Sequence, residues 1–248
     1  MNIDNDFITQ NNARILSGFQ FQPRYRPEYK EHNKNDGAGH QEEIRLSADE
    51  RRFLSCVFTY LYRKTLTEIY SEVGFSASKG TRISKKLERN LMVKIFNISK
   101  GKGTSKYPVL LLDAYKILNL EEGKFEGRGC GYEHLIWQHI LSAHFREFKA
   151  VIELNRGNKC IDVAFEYQGK LIAIEVAITS AHEKANIEKD IQLAKAHSVI
   201  IGCKDVKILA EVNLIFGELG GELREKARAF VLSRILGMSI EELIGGAG

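Results

Sequence analysis

Apolar residues first recur at helical spacing in Phe53, Leu54, Val57, Phe58 and Leu61, which line one side of a predicted helix. Ser47 opens that helix, with Glu50 three residues on in capping-box position. A second helix follows Thr65, running from Leu66 to Val73 and stopping at Gly74. Ser76 or Ser78 caps a third, over Lys79 to Asn90. Leu91 to Ile98 and Tyr107 to Leu112 then read as strands flanking Ser99 to Ser105, and a short helix is expected over Ala114 to Leu118. Beyond Gly123, Gly127, Gly129 and Gly131 the pattern changes. Tyr132 to Phe148 reads as a helix, with Leu135, Ile136, Ile140, Leu141 and Phe145 on one side, and Ala150 to Leu154 as a short strand. Ile161 to Tyr167 and Lys170 to Ile178 read as strands joined at Gln168-Gly169, a hairpin signal. A helix over Ala181 to Ala196, a buried strand over Ser198 to Cys203 and a helix over Val206 to Phe216 follow. Ala227 to Ser233 forms a further expected strand, and Ile240 to Ile244 a terminal turn.

The second series predicts an α/β sandwich around a mixed sheet. In the first, three helices precede a two-stranded hairpin with a basic, glycine-rich tip, the layout of a winged helix. The expected organisation is a flexible, polar arm over 1–45, a winged-helix domain over 46–118, a linker over 119–131 and an α/β (α+β) domain over 132–248. Charge sharpens this division. Residues 46–118 carry 14 Lys+Arg against 6 Asp+Glu, whereas 119–248 carry 16 against 19. Excess positive charge confined to one segment suits a polyanionic partner.

That charge has a pattern. Ile83 and Leu87 turn one side of the third helix inward, leaving Lys79, Arg82, Lys85, Lys86 and Arg89 for the outside. Lys100, Lys102 and Lys106 lie on or beside the hairpin tip, placed to touch phosphates. The stretch Gly80-Thr-Arg-Ile-Ser-Lys-Lys-Leu-Glu-Arg-Asn-Leu-Met92 resembles the recognition helix of bacterial and archaeal winged-helix regulators, which implies DNA as the partner.

The second candidate site lies in Cys160-Ile-Asp-Val-Ala-Phe-Glu-Tyr-Gln-Gly-Lys-Leu-Ile-Ala-Ile-Glu-Val-Ala177. With a two-residue turn at Gln168-Gly169, Tyr167 pairs with Lys170 and Asp162 falls opposite Glu175. Alternation puts Asp162, Ala164, Glu166, Ala173, Glu175 and Ala177 on one face and Ile161, Val163, Phe165, Ile172, Ile174 and Val176 on the other, as core. Two facing carboxylates repel. A divalent cation between them removes the penalty, and oxygen ligands suit Mg²⁺ or Mn²⁺, which clamp a phosphodiester and activate water.

Here the sequence resembles the PD-(D/E)xK, or restriction-endonuclease-like, nuclease superfamily. The resemblance implies that Asp162 and Glu175 bind metal, that Glu133 on the preceding helix supports the site, and that a lysine acts beside them. Ala177 stands in the usual lysine position, so the lysine must come from elsewhere, as in members that carry it on the following helix. Lys184 and Lys189 are available there. The half-buried side of the helical wheel favours Lys189, with Gln192 as a helper. Gly131-Tyr-Glu-His-Leu135 and Asn186-Ile-Glu-Lys-Asp190 are also similar to domains attached to mobile-element and conjugation ATPases.

The expectation is therefore a DNA-binding, metal-dependent endonuclease with Asp162, Glu175 and Lys189 as catalytic residues. The alternative is a non-catalytic DNA-binding regulator or mobile-element accessory factor on a degenerate nuclease fold, and a third class is a protein-interaction adaptor. Cutting both strands of a duplex would favour a homodimer. No phosphate-binding loop of the G-x-x-x-x-G-K-[ST] form is present, so an ATPase would be a separate partner. The scattered Cys56, Cys130, Cys160 and Cys203 speak against a zinc ribbon or a disulfide framework. His134, His139 and His144, five apart, do not share a helix face and make a poor zinc site. The lack of a long apolar run and of a basic-then-apolar N-terminus argues for the cytoplasm, away from membranes.

Overall fold

The computed structural model describes residues 46–120, 131–156 and 159–245, all within one compact unit, Ile44–Gly248. The expected arm over 1–45, and the glycines 123, 127 and 129 of the expected linker, lie outside the described residues.

Helix α1 (Ala48–Thr59) begins as its sequence dictates: the Ser47 hydroxyl accepts the Glu50 N–H while the Glu50 carboxylate accepts the Ser47 N–H. Thr65 and Glu68 repeat the device on α2 (Leu66–Glu72), and Gly74, at φ +67°, takes the left-handed turn after it. Ser76 caps α3 (Ala77–Arg89). Gly80 allows α3 to press on α2, since a Cβ there would stand 2.5 Å from the Tyr70 ring. One turn along, the Ser84 hydroxyl meets the Tyr70 hydroxyl at 2.8 Å. Strands β1 (Val93–Ser99) and β2 (Thr104–Leu110) form an antiparallel hairpin, followed by α4 (Leu112–Ile117). The second strand starts three residues earlier than its apolar run, because Thr104, Ser105 and Lys106 pair with Ser99, Ile98 and Asn97 through backbone alone.

A five-stranded mixed sheet of order β3-β4-β5-β6-β7 forms the rest: β3 (Val151–Arg156), β4 (Lys159–Tyr167), β5 (Lys170–Ala177), β6 (Ser198–Cys203) and β7 (Ala227–Val231). The first three strands run antiparallel and the last three parallel. Helix α5 (Tyr132–His144) packs on one face with Val163, Phe165, Ile172, Ile174 and Val176. On the other face Ala164, Ala173, Ala177, Val199 and Ile201 pack under α6 (Glu183–Glu188), a π-helical turn (Lys189–Leu193) and α7 (Val206–Glu218). Helices α8 (Gly221–Lys226), α9 (Leu232–Ile235) and α10 (Ile240–Ile244) complete the chain. Gly202 on β6 leaves room for α9, since a Cβ would meet Leu232 at 2.5 Å.

Three sequence expectations need correction. The helix expected from Ala181 to Ala196 is α6 followed by the π turn. There the Ala194 N–H bonds the Lys189 carbonyl, five residues back, and the wider turn ends the helix by Leu193. Regular alternation along β4 also fails near its start. Glu153 on β3 has φ +52° and drops out of the ladder between the Ile152–Val163 and Leu154–Ile161 pairs. In consequence Ile161 packs with Ala164 and Ala173 rather than with Val163. Finally, the Ala227–Ser233 strand stops at Val231, where α9 begins.

Candidate active site

The β4–β5 register runs from Tyr167–Lys170 to Val163–Ile174, which brings Asp162 and Glu175 to the same end of the hairpin. They line one cleft of about 520 Å³ with Glu133, His134, Glu153, Cys160, His182, Glu183 and Lys189. The irregular start of β4 separates their directions. Asp162 turns toward α5: its Oδ1 accepts the Gln138 side-chain N–H at 3.1 Å and lies 3.1 Å from His134 Nε2, and its Oδ2 accepts the Val176 N–H at 2.8 Å. Glu175, 3 % exposed, turns toward the π turn, where Lys189 donates to its Oε1 at 3.1 Å.

Lys189 is thus brought to Glu175 from the element after β5, whereas Lys184 reaches away to Glu218, 3.5 Å off. The Lys189 ammonium also donates to the Cys160 carbonyl at 2.8 Å and stands 3.2 Å from Asp190 Oδ1. Glu133 sits at the cleft wall, held by Lys204 at 2.7 Å. Gln192 is exposed and does not line the cleft. Of the three histidines on α5 only His134 does so; His139 stacks on Tyr62 and His144 packs edge-on against Phe145.

The cluster holds more acid than base. Asp162, Glu175, Glu183 and Asp190 share the neighbourhood of one ammonium, Lys189, and one imidazole, His134. Burial, then the charges of Asp162 and Asp190, push the Glu175 carboxyl well above its usual range, against the pull of Lys189. Burial also raises Asp162, but His134, the Val176 N–H and Gln138 outweigh it, so this carboxyl ends below its ordinary value. Burial pushes Glu183 up to about 7 and raises Asp190. Lys189 loses some basicity to burial and regains more from Glu175 and Asp190, ending above its ordinary value. The buried Glu183 Oε2 and Asp190 Oδ2 receive no hydrogen bond, and Asp190 Oδ1 has only its ion pair with Lys189. Unsatisfied oxygens and surplus negative charge are what a bound cation relieves. Among the described residues, however, no three His, Cys, Asp or Glu side chains stand in ligand geometry.

His134, Gln138, Glu183, Asp190 and Lys204 were absent from the sequence-predicted site. His134 and Gln138 are four apart on a helix, and Glu183 and Lys189-Asp190 lie about two turns apart. Those spacings were readable, but which sheet face they met was not.

None of the cations of α3 or the hairpin lines this cleft. Ile83 and Leu87 are buried, at 6 % and 0 % exposure, and Arg82, Lys85 and Arg89 are exposed on the outer side of α3. Two of the five α3 cations are engaged by α1: Lys79 with Asp49 at 2.8 Å and Lys86 with Glu50 at 2.6 Å. Lys100 sits over the Tyr107 ring, while Lys102 and Lys106 are exposed at the hairpin. No helix among the described residues is long and apolar enough to cross a membrane. Compared with protein-family models, curated proteins and solved structures, the chain finds no match in any of the three.

Proposed function

We propose that this protein binds DNA and hydrolyses its phosphodiester backbone in a reaction dependent on Mg²⁺ or Mn²⁺, using a winged-helix module and a restriction-endonuclease-like domain. One observation carries the reading: the cleft gathers Asp162, Glu175 and Lys189, from two strands and the following helical element, into a buried cluster richer in carboxylates than in cations. Hard oxygen donors and surplus negative charge fit a divalent cation of this class, which needs only one or two protein carboxylates and keeps waters for the rest of its shell. Asp162 and Glu175 would hold it, with Glu133 in support. Such a cation supplies Lewis-acid stabilisation of the phosphate and lowers the pKa of bound water. Lys189 holds Glu175 in place and balances part of the acid charge. Arg82, Lys85 and Arg89, with Lys102 and Lys106, supply affinity for the backbone.

A specific contact favours a second reading, a DNA-binding protein without catalysis. The Lys189 ammonium already sits on Glu175, and a lysine in that place can substitute for a cation in balancing the acids. The experiment that separates the two is incubation of the protein with plasmid and linear DNA in Mg²⁺, Mn²⁺ or EDTA. Metal-dependent cleavage is expected, lowered at least about a hundredfold in Asp162→Ala with DNA binding retained. Binding without cleavage in any metal would leave the second reading.

A further inference from the structure

Lys189 is poorly free to meet a substrate. An ammonium has three N–H donors, and three acceptors, the Cys160 carbonyl, Glu175 and Asp190, already surround it within 3.2 Å. Its side chain is 16 % exposed. Lys184 is more exposed but faces Glu218. Lys204 differs from both. It is the first residue after β6, and its N–H donates to the carbonyl of Ala177 at 2.9 Å, so it stands beside the end of β5. In an α/β sheet the space beyond the carboxyl ends of parallel strands is where ligands are received. The Lys204 side chain is 40 % exposed and its ammonium contacts Glu133, a residue of the cleft wall.

We propose that Lys204 is the phosphate-contacting lysine of the cleft, held in reserve on Glu133 and transferred to a backbone phosphate when a nucleic-acid strand enters. The inference rests on the reading of the cleft as a site for a phosphodiester backbone. The lysine end of this pair is open to solvent, and a phosphate replaces the carboxylate with an acceptor of the same sign, so the exchange costs little. The exchange also frees Glu133, so strand entry and release of a further acid into the cleft become one event. Lys189 meanwhile keeps its partners, holding Glu175 rather than the substrate.

A cycle of four proteins tests this: wild type, Lys204→Met, Glu133→Gln and the double variant. Each is titrated against a fluorescein-labelled oligonucleotide in EDTA over a range of salt. Lys204→Met weakens binding about three- to tenfold and lowers the salt slope by about one contact, and Lys204→Arg restores the slope. Glu133→Gln, which releases Lys204, tightens binding several-fold, and most of that gain vanishes when Lys204 is absent. Unchanged affinity and slope in Lys204→Met overturn the proposal. So does a Glu133→Gln gain that is equally large with and without Lys204, since Glu133 would then act by its own charge. Because the cycle runs without metal, a failure to find cleavage leaves it standing. Conversely, a nuclease whose salt slope ignores Lys204 defeats this inference alone.

Discussion

Glu183 shows how far one side chain here depends on tertiary context. Its carboxyl is 5 % exposed, and burial raises it to about 7 from an ordinary 4.5. The neutral form is the one the fold favours. Its contribution to stability is therefore fully present below pH 4.5 and is lost as the pH rises through about 7. In metal-free protein this group alone makes the fold weaker at pH 8 than at pH 4.5 by on the order of 3 kcal/mol. Glu183→Gln removes that dependence, and urea unfolding at the two pH values measures it; an unchanged difference in the variant contradicts the assignment. The turn at Gln168-Gly169 made it readable in the sequence that Asp162 and Glu175 reach the same end of the hairpin, and Lys189 was readable as a candidate on the following element, but not the directions these side chains take. Glu183, Asp190 and Lys204 were not readable. Each acquires its role from what the sheet places beside it, and an exposed acid and a buried one look alike in a string of residues.

At the scale of elements, local patterns with strong chemical punctuation were the readable ones. Ser47 and Glu50 cap where expected, a helix follows Thr65 as expected, and Gln168 and Gly169 take positive φ in the β4–β5 turn. The π turn at Lys189–Leu193 and the loss of Glu153 from the β3–β4 ladder have no such mark, and both sit at the cleft. Those two irregularities aim Lys189 and Asp162, so regular periodicity misreads the chain where its chemistry is gathered. Helix–helix contact supplies a test of α3. Gly80→Ala drives a methyl into the Tyr70 ring and is expected to destabilise the protein by about 1–3 kcal/mol, read from thermal or urea unfolding. A neutral effect would mean that α3 is not seated on α2 through that glycine.

Over the whole molecule, one apolar cluster runs from Phe53 and Leu87 through Ile136 and Leu141 to Ile174 and Leu243. Tyr62 stacks on His139 and Phe96 meets Tyr132, so the helical module and hairpin share packing with the first helix on the sheet. Arg82, Lys85, Arg89, Lys102 and Lys106 are exposed, while Glu175 and Glu183 are buried at the cleft. The proposed function would use both: a surface that holds the backbone in general, and a cleft whose acids are balanced by a cation. On that proposal the Asp162–Glu175 cleft binds a divalent metal. Titration of the protein with Mn²⁺, followed by electron paramagnetic resonance of the free ion, tests it most directly. About one bound ion per chain is expected, lost in Asp162→Ala. No binding at millimolar Mn²⁺, or binding that Asp162→Ala leaves unchanged, would contradict it.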